Sequence, residues 1–280
     1  MELQSFPKAV YYYFKEWQEY KMELHQHMAI EIMYVIKGKC KIEIENRKVV
    51  LRKNQYIFIH SNIPHRLIVE KHSPSRMLNV EFEWNKDDNH FTNIQSLMKY
   101  DERLMEMFVA DEKYFCLKDV DNIYYNLRSL VLELDHKTPG NELIIDNLFI
   151  QLLTLIAKNR EDQKKQTSLA NEYFINQALT YIHENYDYEI KVHDIAQTVH
   201  LHPGYLHRIF KQSMNMTINE YITKVRIDKA KMLLEKTEIP VTEISSYVGF
   251  STSQYFSSTF KKITGLTPSK YRIYFHDVKS

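Results

Sequence analysis

The hydrophobic pattern changes period once along this chain, near residue 90. Before that point apolar positions alternate with polar ones; after it they recur every third or fourth residue. Residues 9–14, 30–36, 40–44, 48–51, 56–59, 65–69 and 77–84 are short runs rich in β-branched and aromatic side chains. Turn-like residues separate them, at Lys37-Gly38, Glu45-Asn46, Lys53-Asn54 and Asn62-Ile63-Pro64. Lys41-Ile42-Glu43-Ile44-Glu45 alternates strictly, which gives one wet face and one buried face. Many short strands at such spacing predict a sandwich or small barrel.

From about Phe91 the spacing is helical. Leu97, Leu104, Met105 and Phe108 come first, then Ile123, Leu127, Leu130, Val131 and Leu134, then Leu143, Ile144, Leu148, Leu152, Leu155 and Ile156. Pro139-Gly140 punctuates between helices. Residues 160–168 are polar and lack a period, which predicts an interdomain linker. Residues 172–185 read as an amphipathic helix with Phe174, Ala178, Tyr181 and Ile182 inward. Residues 218–235 read as one strong helix with Ile222, Val225, Ala230, Leu233 and Leu234 inward. Pro240 ends that segment, and Thr242 is placed to cap the next helix.

Around that helix the same pattern occurs twice. Ile195-x3-Val199-x-Leu201, Tyr205-Leu206-x3-Phe210-Lys211 and Thr217-x3-Tyr221 form the first copy. Ile244-x3-Val248-x-Phe250, Tyr255-Phe256-x3-Phe260-Lys261 and Thr267-x3-Tyr271 form the second. The offset is 49 residues before the turn (195 to 244) and 50 after it (205 to 255), so one copy has an inserted turn residue. Each copy reads as a short helix, a tight turn at His200 or Gly249, and a second helix ending in Phe-Lys. Ala196 and Ser245 are small enough for close helix contact. Pro203 suits the first turn of a helix, and Thr252 or Ser251 suits a cap. This is the layout of a helix-turn-helix, whose second helix enters the major groove.

The predicted outward faces support that reading. Leu206, Ile209 and Phe210 turn in, leaving Gly204, His207, Arg208 and Lys211 out. Phe256, Thr259 and Phe260 turn in, leaving Ser253, Gln254, Ser257, Ser258 and Lys261 out. Arginine reads guanine bidentately and glutamine reads adenine; Lys211, Lys261, Lys262 and Arg272 suit phosphates. An 18-residue connecting helix spans roughly 27 Å at 1.5 Å per residue. With side-chain packing, the two reading helices come about one DNA turn apart, roughly 34 Å.

Composition narrows the alternatives. The chain has 280 residues and a net charge of +1, so nucleic-acid binding has to come from local patches. Five widely spaced glycines exclude a GxGxxG or P-loop nucleotide cradle. Two isolated cysteines fit a reducing cytoplasm. No basic stretch precedes an apolar run at the N-terminus, and no 18-residue apolar stretch spans a membrane.

The segment from about Phe174 to Tyr274 resembles the AraC/XylS family of transcription regulators. The resemblance rests on Ile195-Ala196, Tyr205-Leu206-x3-Phe210-Lys211, Arg226-Ile227-x2-Ala230-x2-Leu233-Leu234, Ile239-Pro240-Val241-x2-Ile244, Val248-Gly249-Phe250, Tyr255-Phe256-x3-Phe260-Lys261 and Gly265-x-Thr267-Pro268-x2-Tyr271-Arg272. It implies base or backbone contact by Gly204, His207, Arg208, Gln254, Tyr255 and Ser258. Asn215 replaces a usual Gly, which a left-handed turn tolerates. Ser258 replaces a frequent Arg, which weakens base readout by the second copy.

In the N-terminal half, His25-x-His27-x3-Glu31-x6-Gly38 resembles the first motif of cupin barrels. Asn54-x5-His60 leading to Pro64-His65 resembles the second, without its Gly and Pro pattern. In metal-bearing cupins the positions of His25, His27, Glu31 and His65 hold a divalent metal. In regulators resembling this chain the same histidines line an effector pocket or hydrogen-bond within the core. Glu81 and Tyr34 join His25, His27, Glu31 and His65 as candidates for the effector pocket. Tyr11, Tyr12, Tyr13, Phe14 and Trp17 suit either sugar stacking or ordinary packing.

The expectation is an α+β chain. Residues 1–160 form a cupin-like barrel with a helical dimerisation segment, seamed by Ile144, Leu148, Leu152 and Leu155 or else packed on the barrel by them. Residues 161–169 form a linker, and 170–280 an all-α domain with two helix-turn-helix units. The function expected is promoter recognition by a cytoplasmic homodimer, activating through RNA polymerase and controlled by a small effector, with carbohydrate the implied class. The alternative is a metal-dependent cupin enzyme with an appended helical domain.

Overall fold

The computed structural model describes residues 6–85, 93–136 and 140–277. Phe91 and Pro139 lie outside them. The chain divides into two compact units, 1–165 and 166–280.

The first unit is built on eight strands: β1 (Phe6–Trp17), β2 (Tyr20–Lys21), β3 (Ile30–Ile44), β4 (Arg47–Arg52), β5 (Gln55–Ile59), β6 (His65–Val69), β7 (Ser75–Asn85) and β8 (Tyr114–Lys118). Every predicted run is a strand, and two of them are halves of β3. The first half of β3 pairs with β5 and β7, and its second half with β4 and β6. One strand therefore belongs to two sheets, ordered β1-β7-β3-β5-β8 and β2-β6-β3-β4. Gly38 lies at the changeover with φ +80°, where a Cβ would meet Pro74 O at 1.9 Å. Strands β2 and β8 have no counterpart in the sequence pattern; β8 follows a helical stretch and is only five residues long.

Strand parity sorts the side chains. Ile30, Ile32, Tyr34, Tyr56, Phe58, Leu78, Val80 and Phe82 face a core shared with helices α1 (Ile94–Tyr100), α2 (Glu102–Val109), α3 (Ile123–His136) and α4 (Glu142–Asn185). Met33, Val35, Ile57 and Met77 face the opposite way, against Ile42, Ile44, Leu51 and Leu67 between the sheets. Leu152 is fully buried in the first of these cores and Leu148 and Leu155 pack against it. Of the two roles left open for this stripe, packing on the chain's own sheet is the one seen for Leu148, Leu152 and Leu155, and of its four residues only Ile144 is largely exposed, at 48%.

The expected linker is helical. Helix α4 runs unbroken through residues 160–168 and across the boundary between the units. Local pairing explains this where apolar periodicity did not. Arg160 is buried and donates to Glu112 at 2.6 Å. Gln163 donates to Asn159 Oδ1 at 2.7 Å and Lys118 O at 2.8 Å, and Lys165 pairs with Glu161 one turn back. Lys, Arg, Glu and Gln are all good helix formers.

The second unit continues with α5 (Val192–Thr198), α6 (Pro203–Met214), α7 (Ile218–Lys236), α8 (Val241–Tyr247), α9 (Ser253–Thr264) and α10 (Pro268–Asp277). It has two cores, and α7 serves both. Ile218, Ile222 and Val225 join Ile195, Leu206 and Phe210 together with Ala178 and Ile182 of α4. Ile227, Ala230 and Leu234 join Ile244, Val248, Phe256 and Phe260. At about 100° per residue, these two sets occupy nearly opposite faces of α7. The single inward face expected for this helix is thus two faces. Pro240 rather than Thr242 is the N-cap of α8, and no side chain closes that cap. Ser245 instead donates back to Thr242 O.

Candidate effector site and nucleic-acid interface

The two helix-turn-helix copies share one local construction. The turns fall at His200 (φ 54°) and Gly249 (φ 83°). Each is followed by the same bond, Leu201 N to Ala196 O and Phe250 N to Ser245 O, both 2.9 Å. Ala196 and Ser245 are buried at the helix crossing. Helix α6 begins with Pro203 and is capped by the His202 ring, which accepts from Gly204 N at 3.2 Å. Helix α9 is capped by Thr252, which accepts from Tyr255 N at 3.2 Å. Asn215 ends α6 in the left-handed region (φ 54°), as Gly265 ends α9 (φ 82°).

The expected reading residues divide into two groups. On α6, Gly204, Arg208 and Lys211 are exposed and His207 is half-exposed. The Arg208 guanidinium lies 4.8 Å over the Tyr205 ring, which steadies it for a planar contact. On α9, Gln254, Tyr255, Ser258, Lys261 and Lys262 are exposed. Ser253 is half-buried, its hydroxyl 2.8 Å from that of Ser245. Ser258 donates to Tyr255 O at 3.0 Å. Arg272 lies apart from the exposed set: it is half-buried and donates to Ile239 O at 2.5 Å. Sequence reasoning did not single out a structural role for Arg226. Its Nε and Nη2 donate to Tyr186 O and Tyr188 O, both at 2.7 Å, fastening α7 to the segment after α4.

In the first unit, His25 and His65 form a bridge pair just before and at the start of their strands, with amide bonds of 3.2 and 3.0 Å in both directions. Glu31 of β3 faces Glu81 of β7 across the ladder, on the inter-sheet side. His65 Nε2 lies 2.6 Å from Glu31 Oε2, and His27 Nε2 lies 3.4 Å from the same oxygen and 3.8 Å from Glu81 Oε2. The rings of His25 and His65 are 4.6 Å apart between centroids. Five of the six expected effector residues, His25, His27, Glu31, His65 and Glu81, thus converge.

Tyr34 does not join them. Its parity places it on the helix-facing side, stacked near Tyr56, with its hydroxyl donating to Asp119 Oδ2 at 2.9 Å. His60 of the second motif is also elsewhere, packed edge-on to Phe58. The residue missed was Asn79, which pairs with both Tyr13 and Met33 in register and donates to Glu81 Oε1 at 3.2 Å. Its signal was a polar residue two positions before Glu81 on a strand with apolar neighbours.

Charge and burial oppose each other here. Burial pushes the Glu31 carboxyl up, but contact with His27 and His65 outweighs it and holds it below the usual range. The Glu31 carboxylate raises His27 against the opposing effect of burial. Burial would lower His65, and Glu31 again outweighs it. Glu81 is raised, by burial first and then by the Glu31 charge. Tyr13 Oη, Trp17 Nε1 and Asn79 Oδ1 are buried on the inter-sheet side with no hydrogen-bond partner, whereas Glu31 Oε2, His27 Nε2 and His65 Nε2 have one another. Buried polar atoms ordinarily find partners. Donors and acceptors around stacked aromatic rings can satisfy a hydroxyl-rich ligand.

Comparison with known proteins agrees with this division. Residues 7–153 match the AraC-like ligand binding domain, and residues 195–273 match a helix-turn-helix domain. The Msm operon regulatory protein of Streptococcus mutans is 27% identical over 244 residues, covering 86% of this chain and 83% of that protein. The melibiose operon regulatory protein of Escherichia coli K12 is 24% identical over 253 residues, covering 89% and 82%. Among solved structures, the C-terminal domain of AraT, a response regulator from Geobacillus stearothermophilus, is 35% identical, covering 35% of this chain and 83% of that one, with a TM-score of 0.35. With a ligand-binding domain matched over more than half its length and a DNA-binding domain after it, this chain belongs to the AraC family of effector-controlled transcription regulators.

Proposed function

We propose that this regulator reads promoter DNA through α6 and α9 and is switched by a small carbohydrate held between the sheets of its first unit. The observation that carries the DNA part is the paired construction of α6 and α9. Two capped helices expose corresponding positions, and both belong to cores anchored on α7. The carbohydrate part is supported by the unpartnered buried polar atoms on the inter-sheet side. It is also supported by relatives whose names concern the melibiose and lactose operons. Such similarity along the chain favours regulation over catalysis.

In this reading the protein acts in the cytoplasm as a homodimer and activates through RNA polymerase. Tyr125 and Leu132, seven residues apart on one face of α3 and 63% and 42% exposed, support pairing of two copies through that helix. Among the described residues no helix is long and apolar enough to cross a membrane.

The test is a set of anisotropy titrations on promoter fragments at several salt concentrations, with and without candidate sugars. Arg208→Ala is expected to flatten base preference at one position, at a cost of about 1–3 kcal/mol for the preferred operator. Lys261→Ala is expected to weaken all sequences alike and to reduce the salt slope by about 1. Arg208→Ala binding every operator variant as the unaltered protein does would show that the reading face is misassigned.

A further inference from the structure

The two helix-turn-helix copies differ in what stands behind their exposed faces. Tyr205 and Arg208 lie one turn apart on α6, and the Arg208 guanidinium rests 4.8 Å over the Tyr205 ring. That ring is half-buried against the first core of the second unit. Its hydroxyl donates to Asn171 Oδ1 of α4 at 2.8 Å. The platform under Arg208 is thus pinned twice, by packing along the ring and by a hydrogen bond at its tip.

The second copy is an internal control. At an offset of 52 residues, Ile175, Ala178 and Ile182 of α4 correspond to Ile227, Ala230 and Leu234 of α7, each trio buried in its own core. The same offset sets Asn171 against Thr223, and the repeat sets Tyr205 and Arg208 against Tyr255 and Ser258. Thr223 turns its hydroxyl to Asn219 O of its own helix, at 2.8 Å. Tyr255 is 57% exposed and borders an open groove with Thr223, Ser258 and Lys262. Among the described residues, the copy that carries an arginine at this position carries the brace, and the copy with serine lacks it.

Bidentate reading of a base needs the guanidinium fork aimed along the base plane. A free arginine loses rotamer freedom when it is so aimed, and a stacked one has already lost much of it. A ring that swings outward carries that alignment away. We infer that Asn171 is a positioning residue for base recognition, holding Tyr205 so that Arg208 meets its base already aligned. This role rests on the reading of Arg208 as the base-contacting side chain of α6. Asn171 acts from α4 through Tyr205, without a base contact of its own.

The experiment uses the full chain to select bound duplexes from a randomised DNA pool, which are sequenced for base preference position by position. Arg208→Ala marks the position that Arg208 reads, as the one where preference is lost. Asn171→Ala and Tyr205→Phe are expected to keep the helical dichroism of the unaltered protein. Each is expected to lower preference at that same position by about two- to tenfold, the net worth of one hydrogen bond, and to spare the others. Asn171→Asp, which keeps an acceptor for the Tyr205 hydroxyl, is expected to restore it. On the Arg208→Ala background, Asn171→Ala is expected to add nothing. Full preference in either folded variant, or a loss spread evenly over all positions, overturns the role of Asn171 while leaving Arg208 as reader. Unchanged preference in Arg208→Ala overturns the assignment of Arg208, and the role of Asn171 with it.

Discussion

Gly249 offers a test of how the second helix-turn-helix is held. Its φ of +83° is left-handed, and a Cβ there would lie 2.5 Å from Tyr186 O and 3.0 Å from Asp187 C and O. All three are backbone atoms, so no flexible side chain can move aside. The same segment is held from α7 by Arg226, which donates to Tyr186 O and Tyr188 O. Gly265 has nearly the same φ, +82°, but a Cβ there would have nothing within 4 Å. Gly265→Ala therefore measures the left-handed cost alone, about 1–2 kcal/mol. Gly249→Ala adds displacement of the 186–187 backbone and weakening of a bond to a charged donor, on the order of 1.5–3 kcal/mol. The expected total is roughly 2.5–5 kcal/mol, at the diagnostic end of single substitutions. Urea unfolding of the full chain reads this with two probes. Both tryptophans, Trp17 and Trp84, lie in the first unit, whereas helical dichroism also reports the second. Gly249→Ala should move the helical transition to lower urea than Gly265→Ala does and leave the tryptophan transition in place. Equal shifts for the two variants would refute the claim that the 186–187 backbone is a rigid neighbour.

Two side-chain contacts give further expected outcomes. Arg226→Lys replaces a two-pronged donor with a point charge, so one of the carbonyls of Tyr186 and Tyr188 loses its partner. The expected loss is about 1.5–3 kcal/mol in urea unfolding of the second unit, together with a larger loss of affinity for a two-site operator than for a single site. Tyr34→Phe removes the donor to Asp119, whose carboxylate also accepts from Ile123 N and Tyr124 N at the start of α3. It should cost about 1 kcal/mol of first-unit stability while leaving a sugar-induced thermal shift intact; loss of that shift would place Tyr34 in the effector site after all.

Elements whose side chains follow one regular period were legible in the sequence. The strands of the first unit and the repeated helix-turn-helix fall in this class, because one buried face imposes period two or period 3.6. The turn residues were legible too, since His200, Asn215 and Gly249 all take positive φ where the pattern needs it. What failed was local chemistry without a period. The stretch 160–168 is helical through side-chain pairs, and β8 is held by pairing with β5 from Gln55 to Ile59, neither of which apolar spacing records. In the candidate site, His25, His27, Glu31, His65 and Glu81 were legible as a spacing, but Tyr34 was misplaced because its face depends on strand phase. Glu31 and Tyr34 are three residues apart on β3, an odd number, and so point to opposite sides.

Phase also explains the most informative departure, which is α7. A helix with one inward face anchors one core and leaves its neighbours to loops. Helix α7 carries Ile218, Ile222 and Val225 on one side and Ile227, Ala230 and Leu234 on the other, each set locked into a different core. No loop intervenes between them, so the separation and relative rotation of α6 and α9 depend on the 19 residues of a single helix. Arg226 lies between the two apolar sets and fastens the helix to the segment that Gly249 abuts. The first copy needs no such clearance, which is why His200 serves where the second requires glycine. The two copies are thus unequal in construction as well as in their exposed residues: Arg208 and His207 face outward on α6, and Ser257 and Ser258 stand on α9. On the proposed reading, base discrimination falls mainly to the first copy, while the second, fixed through α7, is expected to hold the domain on the phosphates with Lys261 and Lys262; equal loss of base preference in Arg208→Ala and Lys261→Ala would refute that division.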